Sequence, residues 1–166
     1  MGICRDIYRG ERLSLQVLDR DAACVVAHEE PYAVISITDP VHRHPELKSS
    51  AFLRGVLQLT FSDVDERFAR LNVSTPYVVA FSPEMGQQVA AFVEEQFRSG
   101  VRLIVVHCQA GMSRSAGVAC SLSRHYNGDD RFFYGQYRPN RWVREVLLAA
   151  LQEPEPEPEP EPAPPK

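Results

Sequence analysis

The chain has 166 residues and a mass of 18.7 kDa, the size of a single domain. Its hydrophobic fraction of 44% and charged fraction of 24% are those of a globule that buries a core without disulfides or metals. The last fourteen residues hold five glutamates and one lysine, which accounts for the whole net charge of −4; the neutral remainder lacks the basic excess of a nucleic-acid binder.

No apolar run reaches the roughly 20 residues that cross a bilayer, so no membrane association is expected. Met1 to Gly10 is charged and lacks the apolar stretch of a secretory signal. Gly2 is followed by Asp6 where a myristoylation motif takes Ser or Thr. Cys4, Cys24, Cys108 and Cys120 are scattered and form no Cys-x-x-Cys pair. Structural zinc is therefore not expected, and a reduced, cytoplasmic chain is.

In chain order, Leu13 to Leu18 alternates like a strand, and Asp21 is a candidate cap for a short helix through His28. Tyr32 to Thr38 is rich in Val and Ile and reads as a buried strand, stopped by Asp39-Pro40. A polar loop with Pro45 follows, then a strand from Gly55 to Phe61 and a loop over Ser62 to Asp65. Ser82-Pro83-Glu84 starts a helix, with a capping hydroxyl and proline at the first helical position. Val89, Phe92, Val93 and Phe97 give its apolar stripe, and Gly100 ends it. Val101 to Val106 is a continuous apolar run, as in a strand covered on both faces. His107 to Arg114 reads as a loop, Ser115 to His125 as a helix stopped by Asn127-Gly128, and Pro139 to Leu151 as a last helix. The pattern predicts an α/β fold, a central mostly parallel sheet flanked by helices, over residues 1–152. Residues 153–166 alternate Glu and Pro, which removes backbone donors and favours an extended, solvated tail. Its partner, if it has one, is not legible.

The stretch that carries chemistry is His107-Cys108-Gln109-Ala110-Gly111-Met112-Ser113-Arg114-Ser115, between a buried strand and a helix. Ligands of open α/β sheets bind at the carboxyl ends of strands. A helix N-terminus there offers unpaired N–H groups to an anion. The same field favours a thiolate. Small residues at Ala110, Gly111 and Ser113 let the chain curl so that its amides converge. Arg114 closes the ring with a fork that suits two phosphate oxygens. Cys108 would lie beneath the phosphorus, with the Ser115 hydroxyl on its sulfur. Six residues after the other cysteines stand Gly10, Glu30 and Tyr126; only Cys108 is followed at that distance by Arg.

The run His107-Cys108-x-x-Gly111-x-x-Arg114-Ser115 resembles the signature of the cysteine-dependent protein tyrosine phosphatases, in their compact dual-specificity-like branch, with a microbial or phage-like cast between Arg114 and Pro139. Tyr32 to Thr38, Leu57 to Asp63, Phe81 to Val93 and Pro139-Asn140 resemble flanking segments of that branch. The resemblance implies a phosphotyrosine phosphatase-like fold and hydrolysis of phosphomonoesters through a phosphocysteine. The substrate would be protein phosphotyrosine, with phosphoserine and phosphothreonine admitted by a shallower pocket. Cys108, Arg114 and a general acid would be catalytic. Gln109, Ala110, Gly111, Met112, Ser113 and Arg114 would hold the phosphate, with His107 and Ser115 in support. Register places the acid at Asp63, with Asp65 in the same loop as the alternative. No cofactor or metal is implied. Ala116 stands where the branch often has proline, which leaves open what supports the loop from behind, Asn140 included.

Other readings are a phosphopeptide-binding module without turnover, and sulfur transfer or arsenate reduction on a similar loop. Cys24 and Cys120 read as buried packing. His42-Arg43-His44 reads as a solvated loop rather than a metal site, with Arg43 or Lys48 as a charge for an anionic substrate. Phe133, Tyr134 and Tyr137 read as core, with the rim of the site as the alternative.

Overall fold

A computed structural model describes residues 6–71 and 75–152. The Glu-Pro segment and Cys4 lie outside the described residues. The elements are β1 (Ser14–Leu18), α1 (Arg20–Val25), β2 (Tyr32–Thr38), β3 (Leu53–Thr60), α2 (Glu66–Arg70), α3 (Pro83–Arg98), β4 (Leu103–His107), α4 (Arg114–Asn127), α5 (Arg131–Gln136) and α6 (Arg141–Gln152).

The strands form one sheet in the order β1-β4-β2-β3, and every neighbouring pair is parallel. The two central strands, β4 and β2, are buried at every position, as their unbroken apolar runs require in a sheet covered on both faces. At the edge, β3 alternates: Arg54, Val56, Gln58 and Thr60 are exposed, and Leu59 points into the core.

The faces are covered unequally. Leu15, Val17, Ala33, Ile35, Ile37, Ile104 and Val106 join residues of α3, α4 and α6 in the main core. Their neighbours of opposite parity, Tyr32, Val34, Leu103 and Val105, meet α1 through Ala23. The even–odd split is the strand period of two. Helix α4 is buried along most of its length. Gly117 lets α6 come close, since a Cβ there would sit 3.0 Å from the Asn140 carbonyl oxygen.

Local signals explain most boundaries. Ser82 accepts a hydrogen bond from the Met85 amide, and Pro83 opens α3. Gly128 ends α4 in the left-handed region at φ 75°, which glycine adopts at little cost. The cap of α1 is Asp19, bonded to the Ala22 amide, not Asp21, which lies in the first turn. Short helices α2 and α5 occupy stretches without a long enough apolar period to announce them.

Candidate active site

The run 107–115 and the residues that bond to it gather at the carboxyl edge of the sheet. Leu18 of β1, Ser36 of β2 and His107 of β4 lie in register there. Beyond them follow Asp19, Asp39, Phe61 and the loop 108–113.

Cys108 follows directly on β4 and is 2% exposed. Its Sγ lies 3.1 Å from the Ser115 Oγ at the start of α4, and the thiol is free. The following loop is anchored by its carbonyls. Gln109 O accepts from the Arg20 amide at 3.3 Å, Met112 O from Arg138 at 3.0 Å, and Ser113 O from Asn140 at 3.0 Å and Gly117 at 2.8 Å. A trans peptide sends its N–H opposite to its C=O. Bonding these carbonyls to the surroundings therefore turns the amides of Ala110, Ser113 and Arg114 the other way. Gly111 makes the turn at φ 63°, and a Cβ there would lie 2.6 Å from the Asp19 nitrogen and the Leu18 carbonyl carbon. Only glycine fits both the backbone angle and the space.

Arg114 is 5% exposed. Its Nη1 donates to Asp39 Oδ1 and to the Phe61 carbonyl, both at 2.9 Å. Its Nη2 lies 3.5 Å from Asp39 Oδ2. Its Nε is buried and has no partner. The guanidinium is thus held along one edge, and the Nε edge is left to an acceptor.

Asp63 and Asp65 take different places. The exposed Asp63 carboxylate accepts through Oδ1 from the Ser113 hydroxyl and from Asn140 Nδ2, each at 2.8 Å. Asp65 caps α2, accepting from the Phe68 amide at 2.9 Å. Asn140 links three parts of the site: its Nδ2 also donates to the Val64 carbonyl, its amide holds Ser113, and its Oδ1 accepts from the Val143 amide. The support that Ala116 left open thus comes from Asn140. A cleft of about 400 Å³ borders this corner, lined by Asp63, Arg67, Ser113, Arg138, Asn140 and Trp142.

Behind Cys108, His107 is fully buried and its Nε2 lies 2.7 Å from the Ser36 Oγ. Burial, above all, lowers its pKa to about 4, against a favourable contact with the Cys108 backbone. The imidazole is therefore neutral at pH 7. Ser36 in turn lies 3.1 Å from His44 Nδ1, and His44 Nε2 lies 3.3 Å from Thr60 Oγ1. His44 is thus not the free loop residue that its polar neighbourhood suggested.

Phe133 and Cys120 are buried, as their sequence context predicts, whereas Tyr134 and Cys24 are not. Phe133 is core and stacks with Tyr137, while Tyr134 is half exposed beside Cys120, 3.8 Å from its sulfur; none of the three lines the cleft. Burial raises the Cys120 thiol pKa. Cys24 is partly buried rather than core. Among the described residues no cluster of three His, Cys, Asp or Glu could hold a metal.

Asp39 and Ser36 were missed as site residues. Asp39 read as a strand stop, although it directly follows a buried parallel strand, where ligands bind. Ser36 was the one hydroxyl in the middle of an apolar strand, a hint of a buried partner.

The same architecture occurs in solved structures. The human tyrosine phosphatase-like serine/threonine/tyrosine-interacting protein is 15% identical, with TM-score 0.58, over 87% of this chain and 95% of that one. A variant of human DUSP28 is 17% identical, with TM-score 0.57, over 87% and 93%. A mouse putative dual specificity phosphatase, complexed with zinc tungstate, is 18% identical, with TM-score 0.58, over 92% and 90%. The fold is that of the dual-specificity phosphatases. No family model and no curated protein matches the sequence. Within the phosphatase fold, the parallel sheet delivers residues 107–115 to the edge where Asp39, Phe61 and Asp63 converge.

Proposed function

We propose that this chain is a protein phosphatase that hydrolyses phosphotyrosine through a phosphocysteine on Cys108. The observation that carries the reading is the state of Arg114. A buried guanidinium fixed along its Nη1 side, with an unpartnered Nε, is costly unless an acceptor completes it. A phosphoryl group offers oxygens in the spacing that a guanidinium edge takes up. The amides of Ala110, Ser113 and Arg114 supply further donors to the same dianion.

In the first step the Cys108 sulfur attacks phosphorus in line. An S–P bond forms as the P–O bond to the leaving group breaks. Asp63, protonated, gives its proton to the departing phenolate oxygen. In the second step the Asp63 carboxylate takes a proton from water, whose oxygen attacks phosphorus. The S–P bond breaks, inorganic phosphate leaves, and the sulfur departs as a thiolate that accepts from the Ser115 hydroxyl. Gln109, Gly111 and Met112 complete the backbone cup. His107 and Ser115 act on the sulfur from behind.

The test is phosphate release from an aryl phosphate and from phosphotyrosine, phosphothreonine and phosphoserine peptides. Release is expected to be fastest with the phosphotyrosine peptide, to be blocked by vanadate, and to vanish in Cys108→Ser. Release that survives Cys108→Ser rules out the thiolate route. Tight phosphopeptide binding without release identifies a binding module instead.

A further inference from the structure

The cleft of about 400 Å³ beside Asp63 carries a charge pattern that the chemistry at Cys108 does not use. Carboxylates and guanidinium groups both line it, and the two sets differ in how they are engaged. Asp63 accepts from Ser113 and Asn140, Asp65 caps α2, and Glu66 pairs with Arg70 at 2.8 Å. The guanidinium groups of Arg67, Arg138 and Arg141 are exposed and meet no carboxylate among the described residues. The cleft therefore offers free positive charge, although its formal charges cancel. Trp142 and Pro139 add apolar lining. Such a surface fits a peptide that alternates carboxylates with prolines, since guanidinium forks bind carboxylates and aromatic-lined grooves take proline-set backbone.

The chain carries one such peptide. Glu153 to Pro162 alternates Glu and Pro. It follows directly on α6, whose first residues, Arg141 and Trp142, line the cleft. The 12 residues of α6 make a helix of about 18 Å. The last fourteen residues of the sequence reach about 43 Å in a proline-set extended backbone. They span the way back along α6 and leave roughly 25 Å to lie in the cleft. Successive glutamates recur about every 6 Å along such a backbone, so several carboxylates reach the guanidinium groups at once.

We propose that this cleft docks the chain's own segment Glu153 to Lys166, with glutamates on Arg67, Arg138 and Arg141 and prolines against Trp142. Each exposed ion pair is weak by itself. The covalent tether presents the segment at an effective concentration on the order of millimolar, which favours it over the same segment of a second copy. The docked segment covers Asp63 and Ser113, which line the same cleft, and so blocks the approach of a substrate to that corner. Salt weakens the docking, because the Debye length falls from about 30 Å at 0.01 M to about 3 Å at 1 M.

The effect on turnover rests on the phosphatase reading, but the docking does not, so the test separates them. Trp142 is the single tryptophan, and its indole N–H resonance in a proton–nitrogen-15 spectrum of the full chain reports on the cleft. That resonance is expected to move between about 0.01 M and about 1 M salt, and to be independent of protein concentration. With Glu153, Glu155, Glu157, Glu159 and Glu161 each replaced by Gln, it should sit at the high-salt position in both buffers. In an Arg67→Glu/Arg141→Glu background the Glu and Gln tails should give the same resonance. At low salt, kcat/KM for a phosphopeptide should rise about fivefold or more in the Gln-tail variant. A chain that releases no phosphate but shows the tail-dependent indole shift supports the docking and removes only the phosphatase reading. Identical indole positions for the Gln tail and the wild type at low salt overturn the inference. So does a position that depends on concentration, which assigns the cleft to a second copy's tail. A tail-dependent difference that survives in Arg67→Glu/Arg141→Glu puts the segment elsewhere and also overturns it. An unchanged kcat/KM in an active enzyme does the same, since the segment then does not cover Asp63.

Discussion

Asp63 and Asp65 lie on the same short loop, and their side chains part company through their partners. Asp65 is committed to the Phe68 amide as a helix cap, whereas Asp63 accepts from Ser113 of the loop 108–113. Asp63→Ala is expected to lower kcat on an aryl phosphate by about 10²–10⁴-fold, the range of general acid help. Asp65→Ala should leave kcat near wild type and cost about 1 kcal/mol of stability, as a lost cap does. Steady-state kinetics and urea unfolding of both variants decide it; normal turnover in Asp63→Ala with loss in Asp65→Ala reverses the assignment. Sequence register narrows the candidate acid to two residues and goes no further, because a helix cap and a carboxylate turned to the loop 108–113 look alike until the Phe68 amide and the Ser113 hydroxyl are placed. Arg114 shows the other limit at this scale. Its position six residues after Cys108 is local and readable, but its holder, Asp39, is 75 residues away.

At the scale of the element, the loop 108–113 is a turn seated on the β1–α1 junction. Gly111 has a positive φ and backbone atoms of Leu18 and Asp19 within 2.7 Å of any added Cβ, while Gly128 has a positive φ and nothing within 4 Å. The two glycines therefore separate strain from crowding. Gly128→Ala is expected to cost about 1–2 kcal/mol, the penalty for a left-handed residue, and to leave turnover intact. Gly111→Ala must push the loop off β1, so activity should fall by orders of magnitude even at temperatures where the fold persists. Thermal unfolding and kcat/KM on both variants check this; an active Gly111→Ala would mean that the loop is not built against Leu18 and Asp19. Elements with long apolar runs or explicit punctuation, such as β2, β4 and α3, were legible. Helices of five or six residues, α2 and α5, were not, since one turn holds too few apolar positions to set a period.

For the whole molecule, the buried neutral His107 couples folding to pH. The ring is held to about 4 in the folded chain against 6.5 when exposed. The unfolded state binds a proton in that window and the folded state does not, so stability is full above about 6.5 and is lost as pH falls toward 4. The loss for this one group amounts to about 3 kcal/mol at most. His28 and His44 are lowered too, chiefly by burial, and add in the same direction. Asp129 is held to about 2 by Arg131, so it acts only below its ordinary 3.8. Urea midpoints should therefore fall between pH 6.5 and pH 5, before carboxylates contribute; a flat or rising midpoint over that span contradicts a neutral buried His107. No helix among the described residues is long and apolar enough to cross a membrane.

The sequence by itself determined the α/β class, the central strands and the placement of Cys108, Gly111, Arg114 and Ser115 around one strand–loop–helix turn. Those features are encoded within a few neighbouring residues, where period, capping and spacing act directly. Only the tertiary structure decided which side chains surround that turn: Asp39 on Arg114, Asn140 between Asp63 and the loop, Ser36 and His44 behind His107. Parallel strands are joined by long crossovers, so residues brought to one edge of the sheet lie far apart in the chain, and no local pattern ties one to another.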